Sequence, residues 1–513
     1  MSQPATQSNQ EFGKWRSMLW PIHNFELKKI IPMLLLFFFL NFNYTILRDT
    51  KDSLVVTAAN SGAETLPFLK VWAVLPAAIL FMIFYSKLSN ILSKKALFYA
   101  SLVPFMLFFA IFPTILYPMR ESLHPNELAD RLQALLPTGL FGLVAVMRNW
   151  TYSLFYVMAE LWGSVGISLL FWGFANDTTR VSESKRFYAM FGIGANLAML
   201  VSGPLIKYFS REGMNMPADM RWGWTLDRLC GMVLIAGFLA AAVYWWMTKY
   251  VLTDPRFIPT EVKKKKEKTK MSLGESFKFL LRSKYILCLA VIVIAYGVCI
   301  NLVEVTWKGQ LKLQYTTPNE YSEFMGTYST ILGAVTIVMM LFIGGNMLRR
   351  FGWTMTALTT PVVLLATGVI FFAFVIFKDS LSALTALFHM TPLFIAVIVG
   401  TIQNVMSKAS KYSLFDPTKE IAYIPLDQES KVKGKAAIDV VGARLGKSGG
   451  ALIQQGLFLF GTLAVMTPYI AAILFVIIGA WIAASSSLGK QFNELSAQKD
   501  AEAAAEKEPL LTT

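Results

Sequence analysis

The chain alternates between long apolar stretches and short polar ones. The runs 30–46, 231–247, 286–300 and 470–484 carry no charged residue, and each approaches the length of about 20 residues that crosses a bilayer as a helix. Backbone groups in hydrocarbon must satisfy one another, which favours helices over open strands. The apolar runs also lack the strict in–out alternation of barrel strands. This pattern predicts an all-α membrane protein.

The same pattern predicts about twelve transmembrane helices. We place these spans at 30–57, 67–86, 95–117, 147–176, 186–208, 227–249, 284–311, 321–346, 353–377, 385–412, 433–462 and 466–488. Several exceed about 20 residues, which implies that they are tilted or extend beyond the hydrocarbon.

The polar segments determine the orientation. With the N-terminus in the cytoplasm, the inner segments hold 32 Lys and Arg residues and the outer loops hold 6, as the positive-inside rule requires. Both termini are therefore expected in the cytoplasm. Residues 1–29 show no cleavable signal pattern and are too short and mixed for an organellar transit peptide, so a multi-pass protein of the cell inner membrane is the expected setting.

A basic linker divides the chain into two halves. The predicted parts are a cytoplasmic segment 1–29, an N-terminal six-helix half 30–249, a basic cytoplasmic linker 250–283, a C-terminal six-helix half 284–488 and a cytoplasmic tail 489–513. The halves also share a weak repeat at an offset of 250 residues, in which Asp177, Lys185 and Gly192 recur as Asp427, Lys435 and Gly442. Two parallel six-helix halves predict a major-facilitator-like fold with its site between them.

Composition excludes several other classes of protein. The chain is 55% hydrophobic and 15% charged, with a mean hydropathy of +0.51. The net charge of +15 would suit nucleic-acid binding, but its basic residues gather in the inner loops, so no nucleic-acid partner is expected. Three cysteines without a CxxC pair indicate neither a disulfide framework nor a metal site, and we expect no cofactor.

Charged residues at membrane depth are the main candidates for a site, because such groups normally face a cavity or a partner. In the first span, Arg48 can pair with Asp52 four residues later. Lys51 lacks an acid at the helical positions around it and needs a partner from another helix or from a ligand. The same spacing recurs at Arg444 and Lys447. These two faces, one in each half, predict a phosphate-binding site.

Two acids also lie at membrane depth. Glu160 has no cation at the helical positions around it, whereas Glu304 has Lys308 four residues later. We expect them to act in gating or coupling; the alternative is that they form permanent salt bridges that fix the fold. Four further cations lie near predicted helix ends, where snorkelling explains them: Lys70, Arg148, Lys207 and Arg228.

An amide beside aromatic residues is a candidate for recognising a base. Asn149 lies next to a cluster that includes Tyr152 and Phe155. An amide can bond a base edge while an aromatic ring stacks on its face. Most aromatic residues of such a cluster are nevertheless expected to pack or to anchor the protein at the interface.

Another motif can be rejected. The segment 442–448 reads GARLGKS, close to a Walker A loop, but Val441 stands where the first glycine is needed. The segment also lies in an apolar helix with no preceding strand, so an NTPase phosphate loop is excluded.

Four stretches carry a family resemblance: ILRDTKDSLVVT (46–57), FYVMAELWGSV (155–165), NLVEVTWKGQLK (301–312) and VGARLGKSGGAL (441–452). Together they resemble the nucleotide transporters of plastids and obligate intracellular bacteria, the ATP/ADP translocases, and among these the chlamydial members. The resemblance implies that ATP is imported in exchange for ADP by alternating access. It also implies transport roles for Lys51, Glu160, Glu304 and Lys447.

Two other functions remain to be weighed. A proton-coupled nucleotide or organic-phosphate symporter would use the same cations, with Glu160 or Glu304 carrying the proton. A membrane acyltransferase would need His and Asp at HxxxxD spacing, which follows none of His23, His124 and His389, so we expect no enzyme. The expected partners are ATP and ADP, with other nucleotides, phosphate or protons as further candidates, and the lipid bilayer around a monomer.

Overall fold

The structure is a computed structural model. It describes residues 20, 22–254, 257, 283–387, 389–427, 430–431, 434–435, 438 and 442–507. Most of the predicted linker 250–283 and most of 428–441 lie outside the described residues.

Six helices form the N-terminal half. They are α1 (Leu27–Val56), α2 (Thr65–Ile91), α3 (Lys94–Leu116), α4 (Trp150–Thr178), α5 (Val181–Gly213) and α6 (Arg221–Val251). Shorter helices, among them Asn126–Leu135, fill the long connection between α3 and α4.

Six more helices form the C-terminal half. They are α7 (Lys284–Gln314), α8 (Pro318–Val338), α9 (Gly345–Ile376), α10 (Pro392–Ala422), α11 (Ala443–Phe458) and α12 (Leu463–Lys507). Helical structure is continuous from Pro318 to Ile376, but Gly352 has φ of 73°. This left-handed conformation is readily available only to glycine. The resulting kink in α9 lies between the predicted spans 321–346 and 353–377.

The predicted all-α membrane fold is confirmed. Ten stretches of the described residues are long and apolar enough to cross a membrane, and one of them holds both α8 and α9. The clearest differences from the predicted spans are at three helix ends. Helix α10 begins at Pro392 and ends at Ala422 rather than spanning 385–412, and α12 continues from the predicted end at 488 to Lys507, so the first part of the predicted tail is helical.

One apolar core lies within the N-terminal half, and a second is centred on the C-terminal half and includes Leu66 and Tyr156 of the other half. Phe109 and Trp162 are fully buried in the N-terminal half, as are Trp307 and Trp481 in the C-terminal half. Large apolar side chains are exposed on the perimeter, for example Leu80, Phe84, Phe238 and Val476. An apolar perimeter around a packed interior is the arrangement that a lipid environment favours.

The two halves meet most closely where α5 packs against α8. A Cβ atom on Gly203 of α5 would lie 2.6 Å from the carbonyl oxygen of Gly326 on α8, and a Cβ atom on Gly326 would lie 2.6 Å from the carbonyl oxygen of Gly203. The two backbones are therefore in direct contact. We call this contact the α5–α8 seam.

Further polar contacts join the halves on one side of the bundle. We call the side where α1 begins and α12 ends the terminal side, and the opposite side the far side. On the far side, Asn319 donates to the carbonyl of Ser210 at 2.9 Å, and Lys312 donates to the carbonyl of Ser61. The Gln455 amide donates to the carbonyl of Pro67 at 2.9 Å. The halves are thus held together on the far side.

The α5–α8 seam yields a prediction about stability. Gly203→Ala places a methyl group against the backbone of α8, and such overpacking typically costs about 1–3 kcal/mol. We expect a lower melting temperature for the purified protein. Gly231→Ala is the control, because a Cβ atom there meets nothing within 4 Å; equal melting temperatures for the two variants would contradict the close packing.

Candidate functional site

Helix α1 supplies the polar centre of the molecule. It contacts helices of both halves, and the buried polar positions of its second half include Asp49, Lys51 and Asp52. A helix surrounded by other helices is expected to be apolar on all sides. The buried charges of α1 must therefore be satisfied by neighbouring helices.

Lys51 is enclosed by partners from its own half. Its Nζ atom lies 2.9 Å from Asp52 Oδ1 and 3.1 Å from Glu160 Oε1 of α4. The same ammonium lies 4.0 Å from the centre of the Tyr156 ring, which adds a cation–π contact. Glu160 is the partner from another helix that the sequence required, whereas the adjacent Asp52 was missed.

Asp52 joins the two halves. Its second oxygen lies 2.7 Å from the Nζ atom of Lys308 on α7, and the two side chains are 2% and 3% exposed. Within the part of the chain that the structure describes, this is the only ion pair between the halves. We call it the Asp52–Lys308 pair.

Lys308 and a second lysine share Glu304. The predicted contact between Glu304 and Lys308 is present at 3.2 Å, and Lys408 Nζ lies 3.3 Å from the same carboxylate oxygen. Lys408 also lies 5.5 Å from the ring centre of Tyr328. Lys408 was not among the predicted site residues, because it lies close to 412, where the predicted span ends; α10 continues past it to Ala422.

The helical spacing suggested that Arg48 pairs with Asp52, but the structure does not contain this pair. The Nε atom of Arg48 lies 2.9 Å from Asp49 Oδ1, and its Nη2 atom donates to Ser329 Oγ of α8 at 2.6 Å. Ser329 in turn donates to Asp49. Asp49 therefore takes the role predicted for Asp52, which leaves Asp52 available to Lys51 and Lys308.

Lys70 also lies elsewhere than predicted. It does not snorkel to a helix end: its Nζ atom donates to Asn301 Oδ1 of α7 at 2.6 Å. Asn301 lies one helical turn before Glu304 on α7. Lys70 is therefore a member of the central cluster, and it contacts the C-terminal half from α2.

The second predicted Arg-x-x-Lys face is only partly described. Arg444 and Lys447 lie on α11, but their side chains are outside the described part of the structure. Helix α11 packs against α7 and against the far-side part of α2. Its backbone thus runs beside the helices that carry Lys70 and Glu304.

Asn149 and Tyr152 line a different space. Together with residues of α1, α6, α8 and the α3–α4 connection, they border a far-side cavity of about 310 Å³. The Asn149 amide donates to the carbonyl of Ala59 at 3.2 Å. Phe155 is fully buried and packs 4.7 Å from Phe112, centre to centre, so it does not border the cavity.

The far-side cavity has charged groups of its own. Arg120, Glu121 and His124 border it, and the His124 ring shares a hydrogen bond of 2.7 Å with Thr151. Burial, followed by the nearby Arg120, lowers the pKa of His124. The imidazole is therefore neutral near pH 7 and the guanidinium of Arg120 is the cation.

The charged side chains of the centre differ in their exposure and therefore in their accessibility to a ligand. The side chains of Glu160, Glu304, Lys408 and Arg48 are 32%, 19%, 15% and 15% exposed, whereas Lys51 is 4% exposed. Lys51 and the Asp52–Lys308 pair thus lie behind an accessible layer of charged groups. Such an arrangement suits a polyanion that exchanges places with carboxylates.

Comparison with known proteins decides the family. The family described as TLC ATP/ADP transporter matches residues 5–492. The chain belongs to the TLC ATP/ADP transporter family. It is 60% identical to ADP,ATP carrier protein 1 of Chlamydia muridarum, over 98% of this chain and 96% of the relative. It is 54% identical to the chloroplastic ADP,ATP carrier protein 1 of Arabidopsis thaliana, over 93% of this chain and 76% of the relative.

The fold has relatives among solved structures. A bacterial homologue of the iron transporter ferroportin, in its inward-facing state, superimposes with a TM-score of 0.55 at 13% identity, covering 92% of this chain and all of the other. This likeness supports the fold alone. These findings confirm the predictions of a major-facilitator-like fold and of an ATP/ADP transporter with chlamydial relatives, and they confirm that this TLC family member is no enzyme.

The Asp52–Lys308 pair yields a prediction. Asp52→Asn keeps the side-chain shape but leaves two buried ammonium groups without their shared carboxylate. Breaking a buried pair on one side costs about 3–5 kcal/mol, so we expect a clearly lower melting temperature. Asp227→Asn is the control, because the pair of Asp227 with Arg228 is half exposed; equal effects of the two substitutions would argue against the pair as a structural tie.

Proposed function

We propose that the protein imports ATP in exchange for ADP by alternating access, as a monomer in a bacterial inner membrane with both termini in the cytoplasm. The central observation is the cluster of cations and carboxylates that joins α1, α4, α7 and α10 between the halves. A family of ATP/ADP transporters supports the substrate. The excess of Lys and Arg in the terminal-side segments supports the orientation.

The phosphates of the nucleotide bind the cations of the two halves. Arg48 and Lys51 contribute from α1, and Arg444 and Lys447 from α11. The partial exposure of Arg48 supports a first contact there, and a guanidinium suits phosphate oxygens in particular. Lys51 becomes available when phosphate displaces Glu160, its more exposed partner.

Glu160 and Glu304 act as gating groups. In the empty carrier each carboxylate holds cations that would otherwise be unpaired in a medium of low dielectric constant. When phosphate replaces them, the contacts that hold Lys51, Lys308 and Lys408 change. Because Lys308 also holds Asp52 of the other half, this exchange of partners biases the equilibrium between two arrangements of the halves.

The same exchange of partners makes import of a nucleotide depend on export of another. The empty carrier keeps its buried charges paired across the halves, and separating them without a substitute is costly. A bound nucleotide supplies the substitute, so the loaded carrier reorients faster than the empty one. Import of one nucleotide then depends on export of another.

Asn149 and Tyr152 are proposed to contact the base. Their position on the far-side cavity supports a contact during entry rather than beside the central phosphates. Phe155 would support these residues by packing beneath them, because it lies in the core of the N-terminal half.

Proteoliposomes test the exchange directly. We expect labelled ATP to enter only vesicles preloaded with ADP or ATP, and uptake to persist when the proton gradient is collapsed. Uptake into empty vesicles that stops with the gradient would instead indicate proton-coupled symport. The residues available to such a symporter would again be Glu160 and Glu304.

The gating role yields a separate prediction. Glu160→Gln and Glu304→Gln remove a charge and retain the shape, so we expect nucleotide binding to survive while counter-exchange falls at least about tenfold or leaks without exchange, an effect of at least about 1.4 kcal/mol. Glu494→Gln, an exposed position on α12, is the control. Undiminished, tightly coupled exchange in both variants would refute the gating role, and unfolded protein would favour a purely structural one.

A further inference from the structure

Lys70 differs from every other cation of the central cluster in its partner. Its ammonium donates to a neutral amide, the side-chain oxygen of Asn301, at 2.6 Å. No carboxylate of the described residues lies within 4.0 Å of it. The other described cations of the cluster each lie next to a carboxylate, whereas Lys70 does not.

A count of charges shows the consequence. The described cluster holds five cations, Arg48, Lys51, Lys70, Lys308 and Lys408, and four carboxylates, Asp49, Asp52, Glu160 and Glu304. Each cation other than Lys70 lies within 3.3 Å of at least one of these carboxylates. One positive charge is left over, and it is on Lys70.

We infer that Lys70 is a binding residue for the phosphate groups of the transported nucleotide, with Asn301 as the residue that positions it. This inference rests on the proposed function, because it assigns a further ligand to the same substrate. It adds a cation from α2 to those of α1 and α11.

Two hydrogen bonds hold Asn301 in the orientation in which its side-chain oxygen meets Lys70. The amide nitrogen of Asn301 donates to the carbonyl of Gly297 at 2.8 Å, and its backbone carbonyl accepts a hydrogen bond from the Gln454 amide of α11 at 3.3 Å. The side-chain oxygen is thereby directed at Lys70. An ammonium has three donors, and Asn301 uses one, so two remain for phosphate oxygens.

The backbone around Lys70 is irregular. Residues Leu69–Val74 form a π-helical segment within α2, and segments of this kind occur frequently at functional sites because they redirect a side chain at a cost in backbone regularity. Here the segment faces α7 and α11, the two helices of the other half that contact this part of α2. Lys70 is thus placed where substrate would bridge the halves.

The ligand is defined by its charge. A lysine acts on phosphate as a point charge with several donors, so it favours a nucleoside di- or triphosphate without selecting the base. Substrate binding would neutralise the charge of Lys70, which the carboxylates of the described cluster leave unmatched. The empty site therefore attracts anions even though most of its cations are already paired.

Substitution of Lys70 tests the inference. Lys70→Gln retains a donor for Asn301 and removes the charge, so we expect Kd for ATP and for ADP to rise about ten- to a hundredfold in calorimetric titrations of the purified protein. Lys70→Arg keeps the charge and should restore most of the affinity. The matched control is Lys312→Gln, because Lys312 also donates across the halves, to the carbonyl of Ser61, but lies outside the cluster.

Each outcome is decisive. Wild-type affinity in Lys70→Gln, or an equal loss in Lys312→Gln, would overturn the inference. If Lys70→Gln does not fold, amine modification of the wild-type chain replaces it: ATP should slow modification of Lys70 and leave Lys312 unaffected, and equal rates at Lys70 with and without ATP would contradict phosphate binding. Failure of the proposed exchange is distinguishable, since it would appear in proteoliposomes of the unmodified protein.

Discussion

A charge buried between helices must be paired, and this requirement organises the centre of the molecule. Moving a carboxylate or an ammonium into the interior costs several kcal/mol even after relaxation. Lys51 therefore needs Asp52 and Glu160, and Lys308 needs Asp52 and Glu304. Because these groups come from α1, α4 and α7, satisfying the charges also fixes how the three helices are placed. The ion pairs thus act together with the apolar packing in placing these helices.

The same requirement makes the centre responsive to an anion. A hydrophobic contact between the halves would be indifferent to phosphate, whereas an ion pair can be replaced by another ion pair of similar energy. The partly exposed Glu160 and Glu304 are the carboxylates most easily displaced, whereas Asp49 and Asp52 are almost fully buried. A polyanion can thus reach the outer partners first and weaken the inner pair through the lysines that they share. Two states related by such an exchange need differ by only a few kcal/mol.

The sequence alone predicted the helices, their division into halves and part of the site. Long uncharged runs predict spans reliably, and the i,i+4 spacing of Glu304 and Lys308 gave a contact that the structure contains. Helical spacing failed for Arg48, because it ignores the adjacent Asp49, which a long side chain can reach. Lys408 was missed because it lies only four residues before 412, where the predicted span ends, whereas α10 continues to Ala422. The contact of Lys70 with Asn301 joins positions 231 residues apart, and no local pattern predicts it.

The placement of the charges relative to the α5–α8 seam bears on how the halves move. The seam joins backbones directly at Gly203 and Gly326, and the Ser210 hydroxyl donates to Ser322 across it at 2.8 Å. The polar contacts of Asp52, Lys70 and Lys312 lie to one side of it and resist separation of the halves on the far side. The close backbone contact of the seam could serve as the hinge about which the halves turn. The exchangeable ion pairs beside it would then hold the halves together until they are replaced. We therefore expect the free energy of reorientation to depend chiefly on the ion pairs, where we propose that the substrate binds.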